Sequence, residues 1–249
     1  DNIDFRAELQ PWRVRALARK HIAGMTAEGL DNWLIALLRS NNLRDANEHG
    51  DQDRRRADAA LQVLGARPGT ASQLALLEAT SRMPPKLRLR ALDVLSDTGR
   101  LELVGTYVDS LRDKDPDVRI AALNAIGNAL GTHTDETSHE TIPAEIATLR
   151  DRAVEAMKTV LCRDAVWQVR AAACHALASL KCKASIPALI DGYEAELGRT
   201  KDPWAMDLRI HRVLENMTGQ TIGAGDFKSW REFWRKEGGS LRLAKPADV

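Results

Sequence analysis

The chain has 249 residues, 44% of them apolar and 29% charged, enough apolar material to bury a sizeable core and too much for a disordered tail. Aromatic residues make up only 4%, with two Tyr and three Phe, so strand-favouring types are scarce and an all-β sandwich or barrel is excluded. The net charge of +1, from 36 basic and 35 acidic residues, gives no global footprint of a nucleic-acid binder.

The first fifty residues carry no clear repeat, and residues 1–52 are expected to form a degenerate helical repeat or cap. From residue 53 onward the chain repeats itself. Ala60, Leu61, Val63 and Leu64 open the frame. PPKLRLRALDVL (84–95) and DPDVRIAALNAI (115–126) then align without a gap at a separation of 31 residues. Within that frame Pro85 matches Pro116, Leu87 matches Val118, Arg88 matches Arg119, Ala91 matches Ala122, Leu92 matches Leu123 and Leu95 matches Ile126. WQVRAAACHAL (167–177) is a further copy 51 residues on, the excess being an insertion at 131–150, and DLRIHRVLENM around Leu208 is a looser one.

Apolar positions such as Val118, Ala122, Ala125, Ile126 and Ala129 recur at spacings of three and four, one stripe of a helix. Each copy follows another amphipathic stretch, at 71–82, 101–112, 152–163 and 185–197. Pro116 and Pro187 sit where helices begin; Gly65, Gly99 and Gly131 mark ends. A hairpin of about thirty residues cannot bury its own stripe, so neighbours must stack. The reading is all-α, an α-α superhelix of about five helical hairpins, with the array at 53–217.

These residues resemble the HEAT repeats, and more narrowly the bacterial HEAT-like proteins of the phycobilisome-lyase type. DKDPDVRIAALNAIG and DAVWQVRAAACHALASL follow the family pattern of a turn with Asp, often Pro, then Val-Arg and an Ala-rich second helix. The resemblance implies the fold and a role in scaffolding and partner binding, but no particular activity. It also implies that Asp113 and Asp164, six residues before Arg119 and Arg170, join a ladder of ion pairs linking successive turns. Arg88 has Arg82 at that offset and needs an acid from elsewhere.

After the array, TGQTIGAGDFKSWREFWRKEGG places Asp226 to cap a short helix whose Phe227, Trp230, Phe233 and Trp234 share one face. Similar endings close HEAT-like arrays, so 218–238 is expected to be an aromatic capping helix, and 239–249 a disordered tail. Trp12, Trp33, Trp167 and Trp204 fall at or near helix starts and read as packing residues.

Chemistry-bearing clusters are few. The insertion gathers His133, Asp135, Glu136, His139 and Glu140, all possible metal ligands, in the Thr-, Ser- and Gly-containing composition of a loop; a solvated loop is the expectation, with no metal and no cofactor. His139 and Glu140 make one pair of the kind that HEAT-like iron hydroxylases use several times. Cys162, Cys174 and Cys182 form no CxxC pair. At ~1.5 Å rise per residue Cys174 and Cys182 would lie ~12 Å apart on one helix, too far for a disulfide. Three reduced thiols fit a cytosol. His175 next to Cys174 points ~100° away on a helix and cannot serve it as a base.

No apolar run reaches the ~18 residues that cross a bilayer, and the opening DNIDFRAELQ has no signal-peptide pattern. The chain is expected to be soluble. Lacking an initial Met, it leaves room for a trimmed upstream segment. Charge is uneven, eight basic to two acidic residues over 54–90 and seven to thirteen over 91–162, which reads first as solvated helix faces.

The expected function is non-enzymatic: a scaffold that binds a protein partner, not nucleic acid, on a concave groove of second helices. Its residues would be Lys86, Asp117 and Gln168 in one row, Leu89 and Ile120 in the next with Ala171, and Gln62, Asp93, Asn124 and His175 in the third. Leu89 and Ile120 are expected to be exposed aliphatics that a partner covers. The alternative is an enzyme on a HEAT-like scaffold, a lyase or hydroxylase or a DNA glycosylase. Bound metal, chromophore absorbance or salt-sensitive binding to duplex DNA would mark it.

Overall fold

A computed structural model describes residues 27–39, 50–65, 70–138, 142–199 and 205–244. Regular structure among them is helical throughout. The helices are α1 (Ala27–Arg39), α2 (Gly50–Gly65), α3 (Thr70–Arg82), α4 (Pro85–Ser96), α5 (Val104–Ser110), α6 (Pro116–Gly131), α7 (Ala144–Arg163), α8 (Trp167–Ser179), α9 (Ser185–Leu197), α10 (Met206–Thr218) and α11 (Phe227–Glu237), with short 3₁₀ turns at Leu101–Leu103 and Glu136–Ser138. The chain forms two compact units, Asp1–Leu76 and Leu77–Val249, and α3 runs from the first into the second.

In the first unit α1 packs on α2, and Leu30, Leu34 and Leu38 of α1 are buried, as are Ala57, Leu61 and Leu64 of α2. Trp33 lies within α1, not at its start, and is 50% exposed, because the buried stripe runs through Leu30, Leu34 and Leu38 and leaves position 33 on its flank. Trp167 opens α8 half-buried, while Trp12 and Trp204 lie outside the described residues.

The second unit is a stack of hairpins. α5 pairs with α6, α7 with α8 and α9 with α10; α4, α6, α8 and α10 pack in order as one layer, and α5, α7, α9 and α11 as the other. This unit is an α-solenoid. Local chemistry sets the helix starts: the Asp115 carboxylate accepts from the amides of Asp117 and Val118, with Pro116 at the first position of α6. Val118, Ala122, Ala125, Ile126 and Ala129 are all buried. Small residues let successive helices of one layer approach closely: a Cβ on Gly127 of α6 would lie 2.7 Å from Ser179 Oγ of α8, and one on Gly192 of α9 would lie 2.3 Å from Leu161 Cδ2 of α7.

Three expectations change here. The insertion is not a loop to residue 150, because Pro143 precedes a helix that begins at Ala144; Ile146 and Leu149, both half-buried, continue the stripe of Ala153 and Met157 back by two turns. Cys182 is not on the helix of Cys174, since α8 ends at Ser179; all three thiols are free. Residues 239–244 are not loose, for the Leu241 amide donates to the Glu237 carbonyl and the Ala244 amide to that of Met217, each at 2.9 Å. The rest of the expected tail, 245–249, is outside the described residues. No helix among those described is long and apolar enough to cross a membrane.

Candidate functional site

The second helices are held at their N-terminal ends by a repeated clamp. Arg88 donates through Nε and Nη2 to the Asp113 carboxylate at 2.8 and 2.7 Å, and through Nη1 to the Met83 carbonyl at 2.8 Å. Arg119 forks onto Asp164 at 2.8 and 3.0 Å and back-bonds the Asp113 carbonyl at 2.8 Å. Arg170 forks onto Glu196 at 2.6 and 3.2 Å and reaches the Asp164 carbonyl at 3.1 Å.

Each arginine therefore grips the next hairpin with its planar fork and its own turn with the remaining N–H, geometry that a lysine could not reproduce. The Asp at the six-residue offset gives its carbonyl to one arginine and its carboxylate to the arginine before. Asp113 is thus the acid that Arg88 lacked at its own offset, and Glu196, which the repeat spacing did not mark, closes the series. Burial alone would raise the Asp113 carboxyl, but the Arg88 bonds and the Asp115 amide outweigh it and hold the group below the usual carboxylate range. The last pair is the most enclosed: Arg170 and Glu196 side chains are 4% and 1% exposed, against 15% and 14% for Arg88 and Asp113.

The layer so aligned presents an outer stripe on each helix. Lys86, Asp117 and Gln168 are exposed at its N-terminal end, and Asn124 and His175 are exposed two turns on, with Asp93 half-buried at the matching place on α4. Burial pushes the Asp93 carboxyl up, Arg90 opposing and Asp97 adding to the rise. Between the polar rows Leu89, Ile120 and Ala171 are half-buried. The expectation of exposed aliphatics at Leu89 and Ile120 is corrected accordingly: both are half-buried, so an Asp placed there would also cost stability. Gln62 is exposed on α2, in the first unit.

The exposed side of α7 differs in chemistry from those of α6 and α8. The exposed residues of α7 include Glu145, Asp151, Arg152, Glu155 and Arg163, whereas those of α6 and α8 are Asp117, Asn124, Asn128, Gln168 and His175, with one formal charge.

Elsewhere the polar groups are committed to structure. Thr134 is fully buried, donating to the Leu130 and Leu180 carbonyls at 3.0 and 2.8 Å. Asp135 accepts from Lys181 Nζ at 2.9 Å, and Glu136 accepts from Arg150 at 3.2 Å. The first half of the insertion is thereby tied to the α8–α9 turn and is not a free loop. His139 and Glu140 lie outside the described residues; among those described, no group of three or more His, Cys, Asp or Glu is placed to hold a metal ion. Burial pushes the Cys174 thiol up to about 12 and raises Cys162 and Cys182 as well, the opposite of an activated nucleophile.

At the far end Asp226 caps α11, accepting from the Ser229 amide at 3.0 Å. Trp230 is fully buried, while Phe227, Phe233 and Trp234 are half-buried. The Trp230 ring lies edge-on to His211 at 6.1 Å, and Arg231 bridges to Asp191 and Glu194 of α9. Tyr193 Oη accepts from the Gly225 amide.

No protein-family model matches the chain, and no curated protein matches it. Among solved structures, the complex of CpcE and CpcF of phycocyanin lyase from Nostoc sp. PCC7120 is similar at 15% identity and a TM-score of 0.32, with 86% of this chain and 98% of that chain covered. At that score the likeness carries no argument about this chain's activity.

Proposed function

We propose that the chain is a non-enzymatic scaffold of HEAT type that holds a protein partner on the outer face of α4, α6 and α8. The observation that carries the reading is the half-buried strip of Leu89, Ile120 and Ala171, which runs between one row of Lys86, Asp117 and Gln168 and another of Asp93, Asn124 and His175. An apolar strip with a polar rim is the composition of a protein interface. The clamps beneath it fix the helix spacing, and a rigid support lowers the ordering cost of binding.

A photo-crosslinking residue placed at Asn124 or at His175 tests this in a lysate of the native source, with Glu155 and Arg152 of α7 as control positions. The same partner band should appear from both second-helix positions and from neither control. A band arising from the α7 positions alone, or none from Asn124 and His175, would refute the assignment.

A further inference from the structure

We propose that residues 132–137 form a strap that locks the C-terminal ends of α6 and α8 together, so that these two second helices behave as one rigid body whether or not a partner is bound.

The first support is what the strap holds. Thr134 is fully buried, its hydroxyl 3.0 Å from the Leu130 carbonyl of α6 and 2.8 Å from the Leu180 carbonyl just beyond α8. The Glu136 amide donates to the Lys181 carbonyl at 3.0 Å, and Lys181 Nζ donates to Asp135 at 2.9 Å. The Lys183 amide donates to the Glu136 carboxylate at 3.3 Å, and Arg150 of α7 donates to the same group at 3.2 Å. Three consecutive residues therefore bond the turn that follows α8, largely through its main chain, so the grip fixes backbone and not only side chains.

The second support is how near the two helices come at that end. A Cβ on Gly131 would stand 3.0 Å from the Ser179 carbonyl oxygen, and one on Gly127 is blocked by the Ser179 hydroxyl. One repeat earlier the same positions are Ser96 and Arg100. The α6 sequence thus gives up side chains where the strap closes, as a close backbone approach requires.

The third support is leverage. The Arg119 fork on Asp164 ties the N-terminal end of α6 to the turn that leads into α8. Arg119 and Gly131 are twelve residues apart, about 18 Å along the helix at 1.5 Å per residue. One tie leaves a pair of helices free to pivot about it. A second tie about 18 Å away removes the pivot, and the crossing angle is fixed together with the spacing.

The fourth support is the backbone of Lys181, whose φ of 45° lies in the left-handed region that a residue with a Cβ adopts at a cost. Such a conformation persists where its surroundings over-determine it. The strap holds both the carbonyl and the ammonium of this residue, so releasing the strap frees the turn to relax and the end of α8 to move with it.

The test measures distances between nitroxide pairs by pulsed electron resonance in the full-length chain carrying Cys162→Ser, Cys174 and Cys182 being buried. One pair sits at Asn124 and His175, the other beside the arginine clamp at Asp117 and Gln168, all four positions exposed. Both distributions should be narrow in the parent. Thr134→Val with Asp135→Ala cuts the strap and should broaden the Asn124–His175 distribution while leaving the Asp117–Gln168 one unchanged. Amides at 176–181 should exchange with deuterium about tenfold faster in that variant, the loss of one or two net hydrogen bonds. Asp135→Ala alone keeps the buried Thr134 and should give a smaller change of the same kind.

A lower melting temperature with unchanged distributions would make the segment a stabilising contact and overturn the lock. Equal broadening at both pairs would be general loosening and would overturn it too. If neither variant folds, the parent decides: an Asn124–His175 distribution broader than the Asp117–Gln168 one overturns the proposal, and equal narrow widths support it.

Discussion

Glu196→Ala isolates the innermost rung of the clamp series. The substitution removes the carboxylate that the Arg170 guanidinium, 4% exposed, forks onto, while the Asp164 and Ala165 carbonyls at 3.1 and 3.3 Å stay among its acceptors. Removing one member of a buried ion pair costs about 3–5 kcal/mol, most of it the penalty of an uncompensated buried charge. The unit runs from Leu77 to Val249, a size at which each kcal/mol moves the melting temperature by about 2–4 °C. The expected drop is thus about 6–20 °C.

Asp113→Ala is the internal standard. Arg88 is more exposed, at 15%, and keeps the Met83 carbonyl, so the loss there should be nearer about 1–3 kcal/mol. Arg170→Met combined with Glu196→Leu removes both charges and should recover most of the stability lost by Glu196→Ala, the residue of the deficit being the two carbonyls that lose their donor. Arg199, whose Nε lies 3.1 Å from Glu196 and whose side chain is 32% exposed, can turn to water when the acid is removed. Thermal melts followed by far-ultraviolet circular dichroism, with urea titrations to obtain free energies, give the ranking. A Glu196→Ala protein that melts at or above Asp113→Ala would refute the argument that enclosure sets the cost.

Two further outcomes follow from single contacts. Because Asp113 titrates lower in the folded protein than in the unfolded chain, its contribution is fully present above the unfolded carboxylate value of about 3.9 and disappears as pH falls through the lower folded value; urea midpoints taken from pH 7 to pH 3 should fall less steeply below about pH 4 in Asp113→Asn than in the wild type, and equal slopes would refute the pairing. Gly192→Ala would set a Cβ 2.3 Å from Cδ2 and 2.6 Å from Cγ of fully buried Leu161, so it should cost about 1–3 kcal/mol by overpacking, with Leu161→Ala relieving part of that loss in the double variant; a neutral Gly192→Ala would show that α7 and α9 can separate freely.

The repeat frame was legible because helix periodicity, a proline at the first turn and a fixed arginine position all agree within each copy. Two kinds of information were not. A register anchored on exact repeat identities hides a partner of another type, and Glu196 carries no repeat signal because it stands on α9 where the earlier rungs use an Asp in the turn. Composition also misleads when polar residues are consumed by backbone: the Thr, Asp and Glu of the insertion suggest a solvated loop, yet Thr134 and Asp135 are bonded to the α8–α9 turn. The extension of α7 was available in principle, since Pro143 followed by Ile146 and Leu149 is a helix start carrying the stripe that Ala153 continues. Exposure of Leu89 and Ile120 was not available, because it depends on how closely α4, α6 and α8 pack rather than on the stripe of any one of them.

The end of the array follows from the same clamp. Ile210, His211, Leu214 and Thr218 stand 41 residues after Val169, Arg170, Ala173 and Leu177, and all eight are buried. Setting Arg209 against the arginines instead does not work, for Arg209 is exposed and Leu208 is 50% exposed. His211 therefore occupies the arginine's place. A guanidinium fork there would require a carboxylate from a following hairpin, as Arg170 takes from Glu196. The chain after α10 offers a main-chain carbonyl instead, and a ring nitrogen of His211 donates to Ile222 at 2.6 Å. One N–H suffices for a carbonyl, whereas a buried fork facing it would leave donors unpaired. Substitution of the arginine by a histidine thus matches the change in what comes next, from another repeat to the segment that leads into α11.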